Sequence, residues 1–177
     1  MSARLLAAFA CLAVAGLLAA GCGEEEHLEV AEGERLELGE LIYNIQMTRF
    51  LNPDDLEDRA YLEGNRRPPR GKSYLAVFLK VENHGERPVP LPGGLTVHDT
   101  RGNEYHPLEA ESVFALDLGD RVPADGELPR PDAAAASGPV KGAMLLFLVD
   151  DFVSQNRPMK LEIPAPDGEP GEVVLDI

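Results

Sequence analysis

The chain has 177 residues, with 16 Lys and Arg against 31 Asp and Glu, giving a formal charge of −15 at pH 7. So acidic a balance excludes nucleic acid as a partner, because phosphate binding needs a basic surface, and it opposes adhesion to anionic lipid headgroups. Fifteen prolines and 17 glycines are spread along the chain, which argues against long helices and for short strands joined by turns.

The N-terminus comes first. Arg4 supplies a positive charge, Leu5 to Ala20 is an uncharged apolar run, and Leu18-Ala19-Ala20-Gly21-Cys22 closes it with small residues before a cysteine. Charge, apolar run and small-residue site are the three parts of a secretory signal peptide. The run of 16 residues is short of the roughly 20 that span a bilayer as a helix. The junction resembles the lipobox of bacterial lipoproteins, with leucine four residues ahead of the cysteine. That resemblance implies removal of residues 1–21, a diacylglyceryl group on the Cys22 thiol, and a protein anchored by lipid on the extracytoplasmic face of the cell membrane. Each buried methylene of such a lipid stabilises binding by about 0.8 kcal/mol, so the anchor is the lipid and not the protein surface. Loss of Arg4 would lower Lys and Arg from 16 to 15 and take the charge to −16. Cys11 would leave with the signal and Cys22 would be occupied, so the mature domain is expected to rely on its core alone, without a disulfide.

Residues 22–33 read as a lipidated N-terminus and tether. Gly23 to Gly33, GEEEHLEVAEG, carries five glutamates and little that could be buried, the composition of a solvated linker. Residues 34–177 then form one domain, long enough for a sizeable core.

Its periodicity is two. Leu41, Tyr43, Ile45 and Met47 alternate with Asn44, Gln46 and Thr48; Leu75, Val77, Leu79 and Val81 alternate with Ala76, Phe78, Lys80 and Glu82. Both segments are predicted as strands with one face on a core. Asn83 to Pro88 breaks the chain. Leu95 to Asp99 and Asn103 to Leu108 flank Thr100-Arg101-Gly102, a three-residue hairpin loop with glycine available for positive φ. Ala133 to Ala136 allows a short helical turn between Pro131 and Gly138. The continuous apolar run Ala143 to Val149 predicts a central strand, and Met159 to Ile163 and Val173 to Ile177 complete the set. The fold class expected is all-β, an antiparallel β-sandwich with Greek-key connections.

The stretch Pro69-Arg70-Gly71-Lys72-Ser73-Tyr74-Leu75-Ala76-Val77-Phe78-Leu79-Lys80-Val81-Glu82-Asn83-His84-Gly85 resembles bacterial immunoglobulin-like lipoprotein domains, in which a glycine precedes a long strand ending in Val-x-Asn. Asp99 to Tyr105 resembles their next hairpin. The family is domain of unknown function 4352, with relatives among secreted actinobacterial proteins. The resemblance implies an immunoglobulin-like sandwich and transfers no catalytic residue. It leaves two long loops, 51–72 and 118–139, without an explanation.

Signals for chemistry are sparse. His98 and His106 fall on the two strands of one hairpin and could approach each other, but zinc sites use three or four protein ligands and no cysteine completes one. Met47, Met144 and Met159 fit core positions. Asn52 to Asp58 gathers four carboxylates without the spacing of a calcium loop. None of Ser73, Ser112, Ser137 or Ser154 lies in a G-x-S-x-G turn, and no phosphate-binding glycine loop is present. The expectation is a non-enzymatic domain without a cofactor, binding a protein or envelope ligand; the alternative is a small-ligand or metal-binding lipoprotein. The candidate interaction residues are Tyr61, Arg66, Arg67 and Arg70, in a loop unusually basic for this chain, because arginine and tyrosine are frequent interface anchors and loops on a scaffold often carry function.

The N-terminal reading is tested at Cys22. Cys22→Ser should abolish incorporation of a radioactive fatty acid and release the protein from the membrane fraction, or leave it unprocessed. Persistent labelling of that variant would contradict the assignment.

Overall fold

Residues 28–177, described by a computed structural model, turn the period-two pattern into strands nearly throughout. In chain order these are β1 (Leu28–Ala31), β2 (Arg35–Leu38), β3 (Leu41–Leu51), β4 (Lys72–Asn83), β5 (Val89–Pro90), β6 (Thr96–His98) and β7 (Glu104–Tyr105). They continue with β8 (Pro107–Leu108), β9 (Arg121–Val122), β10 (Gly126–Leu128), β11 (Ala143–Asp150), β12 (Met159–Ile163) and β13 (Gly171–Leu175). One short helix, α1 (Ala134–Ser137), stands where a helical turn was expected. Cys22, the signal peptide and the first part of the tether lie outside the described residues.

Two sheets face each other. One runs β1-β13-β12-β6-β7; the other runs β2-β3-β4-β11-β8, with β10 also on β4; β5 and β9 form a small ribbon. This is the all-β sandwich expected from the sequence. Leu36, Ile45, Val77 and Leu79 of the second sheet meet Val97, Leu161, Ile163 and Val173 of the first, all essentially sealed from solvent. Burying a side chain of this size contributes roughly 1.5–3 kcal/mol.

Three sequence expectations about the strands change. Leu28–Ala31, read as part of the tether, is strand β1, parallel to β13 with Leu28 opposite Gly171 and Val30 opposite Val173. The two described glutamates of that tether, Glu29 and Glu32, are used by the fold, as is the neighbouring Glu34. Glu32 accepts the Thr48 amide at 2.9 Å and the Asp176 amide at 3.1 Å, and Glu34 accepts the Ala31 amide at 2.8 Å. Glu29 and Glu172, opposite each other, share the ammonium of Lys160.

The second change is a β-bulge. Ile45 pairs with Leu79 but Met47 pairs with Phe78, leaving Gln46 as the extra residue. One inserted residue inverts every side chain beyond it. Met47, predicted for the core, is 40% exposed on the outer face, and Thr48 takes the inward position at 5% exposure.

The strand β4 is also not apolar on one face alone. Tyr74, Ala76 and Phe78 point away from the sandwich interior yet are buried, with Met144 and Leu146 of β11, beneath Tyr61, Leu62 and Phe114. The first of the long loops left unexplained by the sequence, 51–72, therefore closes a second core on the outer face of this sheet together with Ala110, Phe114 and Val140, whereas the second, 118–139, sends Val122 and Leu128 into the inner core.

Two buried polar groups shape the turns. Asn83, at the end of the Val-x-Asn stretch, is fully buried; its amide reaches the carbonyls of Arg87, Val122 and Pro123 at 2.8, 3.1 and 2.9 Å, and its oxygen accepts the Gly85 amide at 2.8 Å. Asp99 opens the β6–β7 loop, where Gly102 has the positive φ (77°) expected of it. Its carboxylate accepts the amides of Arg101 and Asn103 at 2.9 and 3.0 Å and the side-chain amides of Asn103 and Asn156 at 2.7 and 2.9 Å.

Burial acts to raise the Asp99 pKa, but these donors outweigh it and hold the group below its ordinary value. A carboxylate with a depressed folded pKa contributes stability above its unfolded pKa, about 3.9, and loses it as pH falls through the folded value. Asp99→Asn should therefore cost about 1–3 kcal/mol at pH 7. The gap to wild type should narrow below about pH 4, read from urea unfolding at pH 7 and pH 3. A gap that is constant or widens in acid would contradict the assignment.

Candidate interaction surface

The basic loop leaves β3 at Leu51 and returns at Lys72. Its first half turns on its own polar side chains. Asn52 accepts the Asp54 amide at 3.0 Å, and Asp55 accepts the Glu57 amide at 2.8 Å. Asp58 is buried; it accepts the Asn52 amide at 2.7 Å and pairs with the Arg49 guanidinium. The acidic run is thus spent on turn geometry and on one partly buried ion pair.

Tyr61 is not an exposed anchor. It is 2% exposed, its ring packs edge-to-face on Phe78 at 5.1 Å and tilted on Phe114 at 4.8 Å, and Arg49 lies over it at 5.8 Å. Its hydroxyl accepts the Val140 amide at 3.3 Å. The apolar outer face of β4 and β11 requires a cover, and an aromatic residue in the overlying loop supplies it. Tyr61 and Leu62 form an apolar pair inside a polar segment, and that pair was the sequence signal for this role.

The arginines separate into two kinds. Arg66, Arg67 and Arg70 are all exposed. Arg67 pairs with Asp54, with 72% and 62% of the two side chains still in solvent. The hydrogen bond to Asp54 shifts Arg67 further toward its charged form, although water screens so open a pair. The guanidinium groups of Arg66 and Arg70 have no hydrogen bond or ion pair within the described residues. Arg59, which sequence reasoning did not select, is also exposed and without a partner there. The backbone beneath them is held. The Tyr74 hydroxyl donates to the Arg66 carbonyl at 2.6 Å, the Lys72 amide to the Pro69 carbonyl at 3.0 Å, and the Asp151 amide to the Gly71 carbonyl at 3.1 Å.

The histidine hairpin does not assemble a joint site. His98 faces Glu162 at 3.4 Å without hydrogen-bond alignment, while His106 meets the Thr96 hydroxyl at 3.3 Å. Among the described residues no group of three or more His, Cys, Asp or Glu is arranged to hold a metal. Ser73 donates to Asp151 at 2.6 Å and Ser112 to the Ala60 carbonyl at 2.8 Å.

No protein-family model matches the chain, and neither does any curated protein. Solved structures share its fold. An uncharacterized β-sandwich protein from Clostridium difficile 630 has a TM-score of 0.54 at 15% identity, over 86% of this chain and 97% of that one. A conserved hypothetical protein from Bacillus anthracis has a TM-score of 0.51 at 10% identity, over 79% and 93% of the two chains. A candidate lipoprotein (ycdA) from Bacillus subtilis has a TM-score of 0.50 at 16% identity; the match covers 82% of this chain and 38% of that protein. At these identities the likeness establishes the β-sandwich fold.

Proposed function

We propose that the protein is an extracytoplasmic lipoprotein, anchored through Cys22, whose sandwich is a non-enzymatic binding domain. Its interaction surface is the loop carrying Arg66 and Arg70, flanked by Arg59. The observation that carries this reading is the pair of exposed guanidinium groups without an internal partner in a chain of charge −15. A cation kept free on so acidic a surface is available to a carboxylate or phosphate of a partner. Arginine presents a planar fork suited to bidentate contact with such groups. The hydrogen-bonded backbone under the loop limits the entropy lost on binding. The lipid-anchored reading is supported by the N-terminal pattern and by the fold shared with a candidate lipoprotein.

The test uses the full chain in neutral phosphatidylcholine vesicles, with immobilised polyglutamate and polyphosphate as probes. Wild type should bind one of them, and Arg66→Ala with Arg70→Ala should weaken that binding about tenfold, one charge-assisted contact's worth. Arg67→Ala should have a much smaller effect, and added salt should weaken wild type. Equal binding by the double variant would remove the loop as the interaction surface.

A further inference from the structure

The two ends of the sandwich differ. The β2–β3 turn, Gly39 and Glu40, lies against the β12–β13 loop, where a Cβ on Gly39 would come within 2.8 Å of Pro166. Gly171, at the start of β13, lies against Leu36 and Leu38 and pairs with Leu28. The start of β1 is therefore at this end. The arginine loop is at the other, where β3 finishes and β4 begins. Six peptide steps separate Cys22 from Leu28, at most about 20 Å of chain. A folded unit of 150 residues has a radius of gyration near 15 Å, so a tether of this reach keeps the β1 end toward the membrane.

At that end is a cavity of about 470 Å³, within the roughly 300–1,000 Å³ of small-molecule sites. Leu38, Leu41, Leu91 and Pro164 line it, and its two charged lining residues, Glu40 and Asp167, are both exposed acids. Tyr43 lines it too. This side chain is 98% buried, counted from its 2% exposure, and its hydroxyl makes no hydrogen bond within the described residues. Nor is that hydroxyl among the polar atoms sealed from solvent without a partner. Buried tyrosines usually satisfy this group. Burial also pushes the phenol well above its ordinary pKa, so it stays protonated and able to donate.

We infer that this end of the sandwich faces the bilayer and that its cavity takes the apolar tail of a neutral amphiphile, with Tyr43 donating a hydrogen bond to an oxygen of that molecule. The inference rests on the lipid-anchored reading of Cys22 for its orientation, and on the cavity alone for its ligand class. The apolar walls select a hydrocarbon tail. The two acids at the mouth repel a carboxylate or phosphate headgroup, which leaves a neutral one.

The experiment places the full chain in phosphatidylcholine vesicles with a photoreactive monoacylglycerol and maps the cross-links by mass spectrometry. Labels should concentrate in 38–43, 89–92 and 164–167. A photoreactive fatty acid, carrying a carboxylate, should label these segments less. Tyr43→Phe keeps the ring and should lower labelling about three- to tenfold, the worth of one hydrogen bond. Even labelling over the surface, labelling centred on 99–103 or 151–157, or no change in Tyr43→Phe would overturn the proposal. Flotation of the wild type with the vesicles reports lipidation separately. Where the chain does not float, labelling of the same three segments by the probe in free solution still decides the cavity, and only the orientation falls.

Discussion

The two central strands of the larger sheet are apolar on both faces, and a two-sheet sandwich can cover only one of them. Inward, Leu75, Val77 and Leu79 of β4 and Leu145 and Phe147 of β11 meet the opposite sheet. Outward, Tyr74, Ala76, Phe78, Met144 and Leu146 would form a broad exposed apolar patch, and each large side chain left in water would forfeit roughly 1.5–3 kcal/mol. The long segments on that side become a third layer. The Met144 amide donates to the Phe114 carbonyl and the Leu116 amide donates to the Met144 carbonyl, both at 2.8 Å. Tyr61 is drawn down between Phe78 and Phe114, and Ser112 fixes the Ala60 carbonyl. The arginines that follow Tyr61 stay at the solvent surface because the apolar residues of the same loop occupy the positions below.

This layering decides what was legible in the sequence. The continuous run from Ala143 to Val149 announced a strand buried on both faces, but the same property of β4 was hidden. Lys80 and Glu82 make its second half alternate, so Ala76 and Phe78 passed for solvent positions. The bulge left one trace: Phe50 shares the parity of Asn44 and Gln46 and not that of Ile45, as expected if the register shifts between them. Strand β1 left almost none. Leu28 and Val30 alternate with Glu29, yet four residues among glutamates look like a linker until β13, over 140 positions away, provides the partner. The turn residues were easier, because Gly102 acts through local backbone geometry and Asn83 does so in part, through Gly85 and Arg87; its bonds to Val122 and Pro123 are long-range. In the loop, residue type gave Arg66 and Arg70 correctly as exposed cations and misjudged Tyr61, whose ring has a larger apolar surface to hide than polar group to display.

Charge follows the same division. The carboxylates nearest the core are used within it: Asp58 on Arg49, Asp99 on backbone and amide donors, Glu32 on two amides. Lys160 and Lys72 are held by Glu172 and Asp150 at 2.7 and 2.8 Å. Arg66 and Arg70 are among the exposed arginines left without an internal partner, and the loop that carries them lies at the end opposite the start of β1. In the proposed reading this gives the domain a direction, with an apolar cavity toward the anchor and a cationic loop away from it.

The whole arrangement depends on the loops being a packed layer rather than loose connections, and amide hydrogen exchange on the folded chain measures this residue by residue. The amides of Tyr61 and Leu62, bonded to the Asp58 carbonyl at 3.1 Å, and those of Leu116 and Met144 should be protected far beyond those of Asp55 to Glu57 and of Arg66 and Arg67. Exchange of Tyr61, Leu62 and Leu116 as fast as that of the arginine segment would contradict the account, because the outer face of β4 and β11 would then have no cover.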